Sequence, residues 1–233
     1  MTKIDEIYTE LPYYGIRRMT KELVGHQIVI NHKHVARLMR EMGIEAIYPK
    51  PNLSKNANQH PVYPYLLRNI TASYPNHIWG TDITYIRMRQ GFLYLVAFLD
   101  WYSRYVVSWR LSTVLTTGFV LQAAHDALAV GTPAIINSDQ GVQFTSNDYL
   151  SLWNPETTNI SMDGRGRAMD NIFTERLWRS VKYEEVYLKN YDSVLDAKDG
   201  ISRYFHIYNT RRLHQALNYR TPANIYYQRR NGS

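Results

Sequence analysis

Three acids, Asp82, Asp139 and Glu175, stand in contexts that could bring their carboxylates to one metal-binding point. Mg²⁺ is a hard cation that prefers oxygen and is commonly held by a few carboxylates together with water and substrate phosphate oxygens. Two such ions about 4 Å apart can clamp both the attacking and the leaving oxygen of an in-line phosphoryl displacement. Without metal, three close carboxylates repel one another and raise one another's pKa, so the metal-free site is the strained state. Taken singly, each acid reads as readily as a cap, a turn residue or a salt-bridge partner. Taken with their surroundings, the three read as a site.

Asp82 lies in Trp79-Gly80-Thr81-Asp82-Ile83-Thr84-Tyr85-Ile86. This β-branched and aromatic run alternates with period two, which predicts a strand with Asp82 and Ile83 on opposite faces. An acid inside a strand is unfavourable unless it is used or paired. Asp139 follows the short apolar run Pro133-Ala134-Ile135-Ile136-Asn137-Ser138 and opens Asp139-Gln140-Gly141. That pattern predicts a buried strand with its acid at the carboxyl end, where open α/β sheets bind ligands. Around Glu175, the residues Ile172, Phe173, Leu177, Trp178 and Val181 recur at helical spacing. Asp170 then becomes the N-cap, and Asn171, Glu175, Arg179 and Lys182 share one helix face.

The elements that must position these acids are legible nearby. Trp79 to Met88, Gly91 to Asp100 and Tyr105 to Leu111 predict a three-stranded meander, followed by a helix from Thr116 to Ala129 and the Asp139 strand. Strand, strand, strand, helix, strand, helix is the order of an α/β, ribonuclease-H-like mixed sheet. Asp100 is expected to be structural, paired with Arg104 or with turn amides. Ahead of the sheet, Ile16 to Val24 and Val35 to Met42 read as two short helices, the second capped by Asn31 and stopped by Gly43. Arg17, Arg18, Lys21, Lys33, Arg37 and Arg40 on this pair could contact phosphates, against the plainer reading of a helical hairpin; Leu38 and Met39 read as packing residues. Pro49 to Pro64, rich in Pro, Asn, Ser and Lys, reads as an extended linker holding the domain boundary.

Three stretches together closely resemble the integrase-type core of bacterial insertion-sequence transposases. They are Trp79 to Tyr85, Ser138-Asp139-Gln140-Gly141-Val142-Gln143-Phe144-Thr145-Ser146, and Ser161-Met162-Asp163-Gly164-Arg165-Gly166-Arg167 with Asp170-Asn171 and Glu175-Arg176. Between Asp139 and Glu175 lie 35 residues, the spacing that names the aspartate-aspartate-glutamate integrases. The tail Tyr208-Asn209-Thr210-Arg211-Arg212-Leu213-His214-Gln215-Ala216-Leu217, then Thr221-Pro222, resembles the end of the same core, and the match is best to the OrfB proteins of the IS-three family.

The resemblance implies a mixed five-stranded sheet flanked by helices, preceded by a small helix-turn-helix-like segment. The domains expected are that segment over residues 1–48, a linker over 49–71, a catalytic core over 72–228 and a tail over 229–233. It further implies metal-dependent cleavage at an element end and strand transfer of the freed 3′ hydroxyl, with two Mg²⁺ or Mn²⁺ ions held by Asp82, Asp139 and Glu175. Asp82 would bridge both ions. Arg165 and Arg167 would sit on a flexible loop beside the site, and Arg179 and Lys182 would hold the reacting strand, with Asn171, Arg212 and His214 as further DNA contacts. The partners implied are the terminal repeats, target DNA, an OrfA or OrfAB protein, and further copies of the chain assembled on DNA.

Two departures from the family pattern carry expectations of their own. The chain begins only a short way before Pro12-Tyr13-Tyr14-Gly15-Ile16-Arg17-Arg18-Met19, where relatives carry a further helical stretch, which implies a shortened N-terminal segment. The polar run Leu152-Trp153-Asn154-Pro155-Glu156-Thr157-Thr158-Asn159 replaces an apolar helix end and predicts a local loop change.

Charge and composition agree with a polyanion partner. Lys and Arg number 10 against 6 Asp and Glu in residues 1–70, 6 against 8 in 71–174, and 11 against 6 in 175–233. Basic flanks around an acidic centre suit metal ions in the middle and phosphates outside. No apolar run is long enough to span a membrane and no signal-peptide pattern opens the chain, so a cytoplasmic, nucleoid-associated location is expected. With no Cys, disulfides, thiolate zinc sites and a cysteine nucleophile are excluded. Gly164-Arg165-Gly166-Arg167 lacks the strand and Gly-Lys-Ser/Thr ending of a phosphate loop. His214, tempting as a general base, reads instead as structural or DNA-contacting. A nonspecific ribonuclease-H-like nuclease and a noncatalytic or partner-dependent DNA-binding remnant remain as alternatives.

Overall fold

The computed structural model describes residues 1–46, 63–89, 91–164, 171–189 and 191–228. The chain divides into two compact units between Lys55 and Asn56.

In the first unit three helices, α1 (Thr2–Glu10), α2 (Ile16–Gly25) and α3 (His32–Glu41), close over a small core. Ile4 and Ile7 of α1, Met19 and Leu23 of α2, and Val35 and Met39 of α3 are buried together. Their spacing of three or four puts each pair on one helical face, and burying that face is what stabilises such short helices. The Asn31 side chain caps α3 by accepting from the Lys33 amide at 2.8 Å, and Gly43 ends it at φ +66°. Helix α1 was not expected: its two apolar residues are too few for a sequence signal and gain meaning only from the core they complete.

The second unit is built on a five-stranded sheet in the order β3-β2-β1-β4-β5. Its strands are β1 (Ile78–Arg87), β2 (Phe92–Asp100), β3 (Val106–Ser112), β4 (Ile135–Ser138) and β5 (Asn159–Met162). The first three form the antiparallel meander, while β4 pairs parallel to β1 and β5 parallel to β4. Alternation along β1 and β2 feeds two cores. Ile78, Ile86, Leu93, Leu95, Ala97 and Leu99 face α6 (Ile172–Val181) and α7 (Val194–Thr210). Trp79, Val96 and Phe98 face α4 (Thr117–Val130) and the short α5 (Asn147–Leu150). Helices on both faces explain why β2 is apolar almost throughout.

Three local features matter for the site. Asp100, wholly buried, accepts the Asn76 amide at 2.7 Å and the Ser103 amide and hydroxyl at 2.8 and 2.6 Å; it is the turn-stabilising acid the sequence predicted. The polar run after α5 is a turn in which Asn154 accepts the Glu156 amide at 2.9 Å. Beyond α6 the chain widens into a π-helical turn over Lys182–Val186. Most of the expected linker lies outside the described residues, but its end packs on the sheet unit: Leu67 is buried there, and the Leu66 amide donates to Ser161 Oγ at 3.1 Å. After α7, a 3₁₀ turn (Gln215–Leu217) and α8 (Pro222–Gln228) complete the described chain.

Candidate carboxylate site and nucleic-acid surface

Strand β1 hands Asp82 to an opening in the sheet. Its parallel pairing with β4 ends at Gly80 opposite Asn137, whereas the pairing with β2 continues through Asp82 opposite Ala97. Asp82 therefore lies just past the point where β1 and β4 stop hydrogen bonding, and Asp139 leaves the end of β4 at the same divergence. This is the crevice at strand carboxyl ends that α/β sheets offer to ligands. Asp139 folds back so that its Oδ1 accepts the Gly141 amide at 2.9 Å. A Cβ on residue 141 would meet that same oxygen at 2.9 Å, which is why glycine follows.

Helix α6 lies across β1 on the Asp82 face and carries Glu175, exposed, in its first turn. The close approach depends on Gly80, where a Cβ would strike the Trp101 indole and lie 2.7 Å from Thr174 Oγ1. Asn171 donates from Nδ2 to Thr81 O at 3.3 Å, and Thr174 donates to Asn171 Oδ1 at 2.5 Å. One turn beyond Glu175, Trp178 donates its indole N–H to Asp82 Oδ2 at 2.9 Å.

The electrostatics are those of crowded acids. Burial pushes the Asp82 carboxyl up to about 6; the Trp178 indole and the Ile83 amide oppose that shift, and Asp139 and Glu175 add to it by repulsion. Burial also raises Asp139, with the Gly141 amide opposing. Among the described residues, no three His, Cys, Asp or Glu side chains are gathered tightly enough to grip a single ion together. The donor set nonetheless fits a hard divalent cation: it is carboxylate oxygen only, and a cation would relieve the repulsion felt by Asp82. Such a cation needs only one or two protein carboxylates when substrate phosphates and water complete its shell.

The expected DNA contacts separate into three groups. Arg17, Arg18, Lys21, Lys33, Arg37 and Arg40 are exposed on the helices of the first unit; Arg37 also pairs with Glu41 at 3.6 Å and meets His34 at 3.0 Å. In the sheet unit Arg179 is exposed, lying 5.8 Å from the Tyr183 ring, and Lys182 is half-buried at the start of the π turn. Arg165, Arg167 and Asp170 lie outside the described residues, and the N-cap position of α6 is taken by Asn171 where Asp170 was expected.

Three of the expected contacts have partners within the protein. Asn171 is buried at 6 % exposure and spent on Thr81 and Thr174, so it pins the helix to β1. Arg212 closes a two-armed pair with Glu184, at 2.6 and 2.9 Å, because the π turn swings Glu184 toward it. His214 takes up a further Arg212 contact at 3.1 Å. Burial, then the Arg212 and Arg104 cations, lower its pKa to about 4, which keeps the ring neutral and structural at pH 7. The sequence reading missed Trp178 as a polar partner. Its signal was the Glu175-x-x-Trp178 spacing, read there only as packing.

Comparison with known proteins places these features in context. An HTH-like domain model matches residues 1–52, and two Integrase core domain models match 72–168 and 156–222. The chain is 32% identical over 220 residues to the transposase for insertion sequence element IS904 of Lactococcus lactis, covering 91% of this chain and 87% of that one. It is 33% identical over 190 residues to transposase InsF for insertion sequence IS3A of Escherichia coli, covering 77% and 65%. In fold, it is similar to the HTLV-2 integrase catalytic core domain solved in complex with magnesium. There the TM-score is 0.56 at 20% identity, covering 67% of this chain and 99% of that one.

Proposed function

We propose, because this chain belongs to the insertion-sequence transposases built on an integrase core, that Asp82, Asp139 and Glu175 are its metal-binding and catalytic carboxylates. The protein is a DNA transposase, a polynucleotidyl transferase. The observation that carries the assignment is the meeting of Asp82 and Asp139 where β1 and β4 part, with Glu175 near enough to raise the Asp82 carboxyl.

Asp82, Asp139 and Glu175 would hold one or two Mg²⁺ or Mn²⁺ ions. Bound there, the cation supplies positive charge to the attacking and leaving oxygens of an in-line phosphoryl displacement. The chain's own part is positional. Its carboxylates stand on β1, just beyond β4 and on α6, elements of one sheet unit, so the reacting phosphodiester meets a preorganised site, and no covalent enzyme intermediate is needed. Arg179 and Lys182 extend from the Glu175 helix and suit the strand's phosphates. The exposed cations of α2 and α3 suit duplex phosphates by charge alone. The ribonuclease-like alternative lacks any use for this helical unit.

On this reading the substrates are the element's terminal repeats and target DNA, met at the bacterial nucleoid in the cytoplasm, with copies of the chain and an OrfA-type partner assembled on DNA. Domain roles follow as a DNA-binding unit over residues 1–48 and a catalytic unit over 72–228. The test is Mg²⁺- or Mn²⁺-dependent cleavage and strand transfer on a labelled duplex bearing the element's ends. Asp139→Asn and Glu175→Gln are each expected to abolish both steps while salt-sensitive DNA binding persists. Cleavage retained by either variant would remove that residue from the site.

A further inference from the structure

Helix α6 contributes more to the carboxylate site than Glu175. Trp178 is buried at 6 % exposure, one turn along the same helix, and its Nε1–H donates to Asp82 Oδ2 at 2.9 Å. The side chain cannot drift, because the helix is seated by Asn171 on Thr81 and by Thr174 against Gly80. The backbone of Asp82 is held by pairing on the β2 side, so the freedom left to it is that of its two side-chain torsions. The indole N–H restrains both.

The chemistry of the donor matters. Indole is a donor only and carries no charge. A Lys or Arg in its place would neutralise Asp82 and compete with any cation. A neutral N–H orients the carboxylate, satisfies one lone pair of Oδ2 and leaves the negative charge available. Outer hydrogen bonds of this kind commonly set the orientation and affinity of a metal ligand.

We infer that Trp178 is a positioning residue for the transposase reaction, fixing the Asp82 carboxylate from the helix that carries Glu175, so that one helix sets two of the three acids. The inference rests on the reading of Asp82 as a metal ligand. A packing role alone would call for the indole's shape; a positioning role calls for its N–H. Replacing Trp178 with 3-benzothienylalanine keeps the shape and substitutes sulfur for that N–H.

The test titrates Mn²⁺ into the full-length protein, followed by electron paramagnetic resonance, in the wild type, Trp178→3-benzothienylalanine, Trp178→Phe and Asp82→Asn. Thermal melting is recorded for each. The benzothienyl variant is expected to melt with the wild type yet bind Mn²⁺ about tenfold more weakly, and to need correspondingly more Mg²⁺ for half-maximal cleavage. Wild-type Mn²⁺ affinity in that variant would overturn the inference, whatever Trp178→Phe does to folding. If Asp82→Asn also binds Mn²⁺ as tightly as the wild type, the carboxylate-site reading falls and takes this inference with it. Weak binding by Asp82→Asn beside unchanged binding by the benzothienyl form overturns the Trp178 role alone.

Discussion

At the scale of single residues, the acids and the histidine respond to pH in opposite directions. Asp82 has its carboxyl raised to about 6 by burial, from an ordinary value of 3.8. The folded chain therefore favours the protonated acid, and this group's contribution to stability is complete below about pH 4 and lost as pH rises through 6. Asp82→Asn should accordingly raise the melting temperature of the metal-free protein at pH 7.5, by the equivalent of about 1–2 kcal/mol once partial exposure is allowed for. At pH 4 the two proteins should melt together. A gain of the same size at both pH values would mean that ionisation of Asp82 is not its source. His214 works the other way: held at about 4 against 6.5 unfolded, its contribution is present above 6.5 and lost as pH falls toward 4. His214→Gln should flatten the fall in stability over that interval, measured by urea unfolding at successive pH values. A curve parallel to wild type would leave the acid sensitivity with other groups.

At the scale of elements, the contact between α6 and β1 and the π turn after α6 are the critical joints. Gly80→Ala puts a methyl into the Trp101 indole and Thr174, and overpacking of this kind costs about 1–3 kcal/mol. The same change displaces the helix bearing Glu175, so cleavage should fall well beyond what lost stability explains; wild-type cleavage in a folded Gly80→Ala protein would contradict this account of the helix seat. In the π turn, burial works against ionised Glu184, but bonds from Arg212 and Tyr204 outweigh it and hold its pKa low. Arg212→Gln removes the two-armed pair together with its charge. It should lower melting by the equivalent of about 1–2 kcal/mol and leave the salt dependence of DNA binding unchanged. A shallower salt dependence would make Arg212 a phosphate contact.

Over the whole molecule, the charges considered above fall on two different units. The cations of α2 stand on a unit separate from the carboxylates. Replacing Arg17, Arg18 and Lys21 together by Gln should weaken DNA binding evenly across sequences. The slope of log affinity against log salt should fall by about 2–3, since each phosphate contact contributes close to one. An unchanged slope, measured by fluorescence anisotropy at several salt concentrations, would mean that these side chains do not touch the backbone. Among the described residues, no helix is long and apolar enough to cross a membrane.

What the sequence determined by itself was local in origin. Period-two alternation announced β1, the Asn31 cap and Gly43 bounded α3, and the apolar run ending in Asp139 announced β4, because each signal is carried by neighbours along the chain. The acids and their spacing were legible for the same reason, and with them the transposase family. Tertiary structure decided which face of each element is spent on packing. Asn171 shares the predicted face with Glu175 yet is drawn inward by Thr81, a residue 90 positions away. Arg212 reads as a DNA cation until the π turn delivers Glu184, 28 positions away. Trp178 reads as core until β1 presents Asp82 to its N–H. Helix periodicity names a face, but the partner that claims each side chain comes from a distant part of the chain, and no local pattern encodes that meeting.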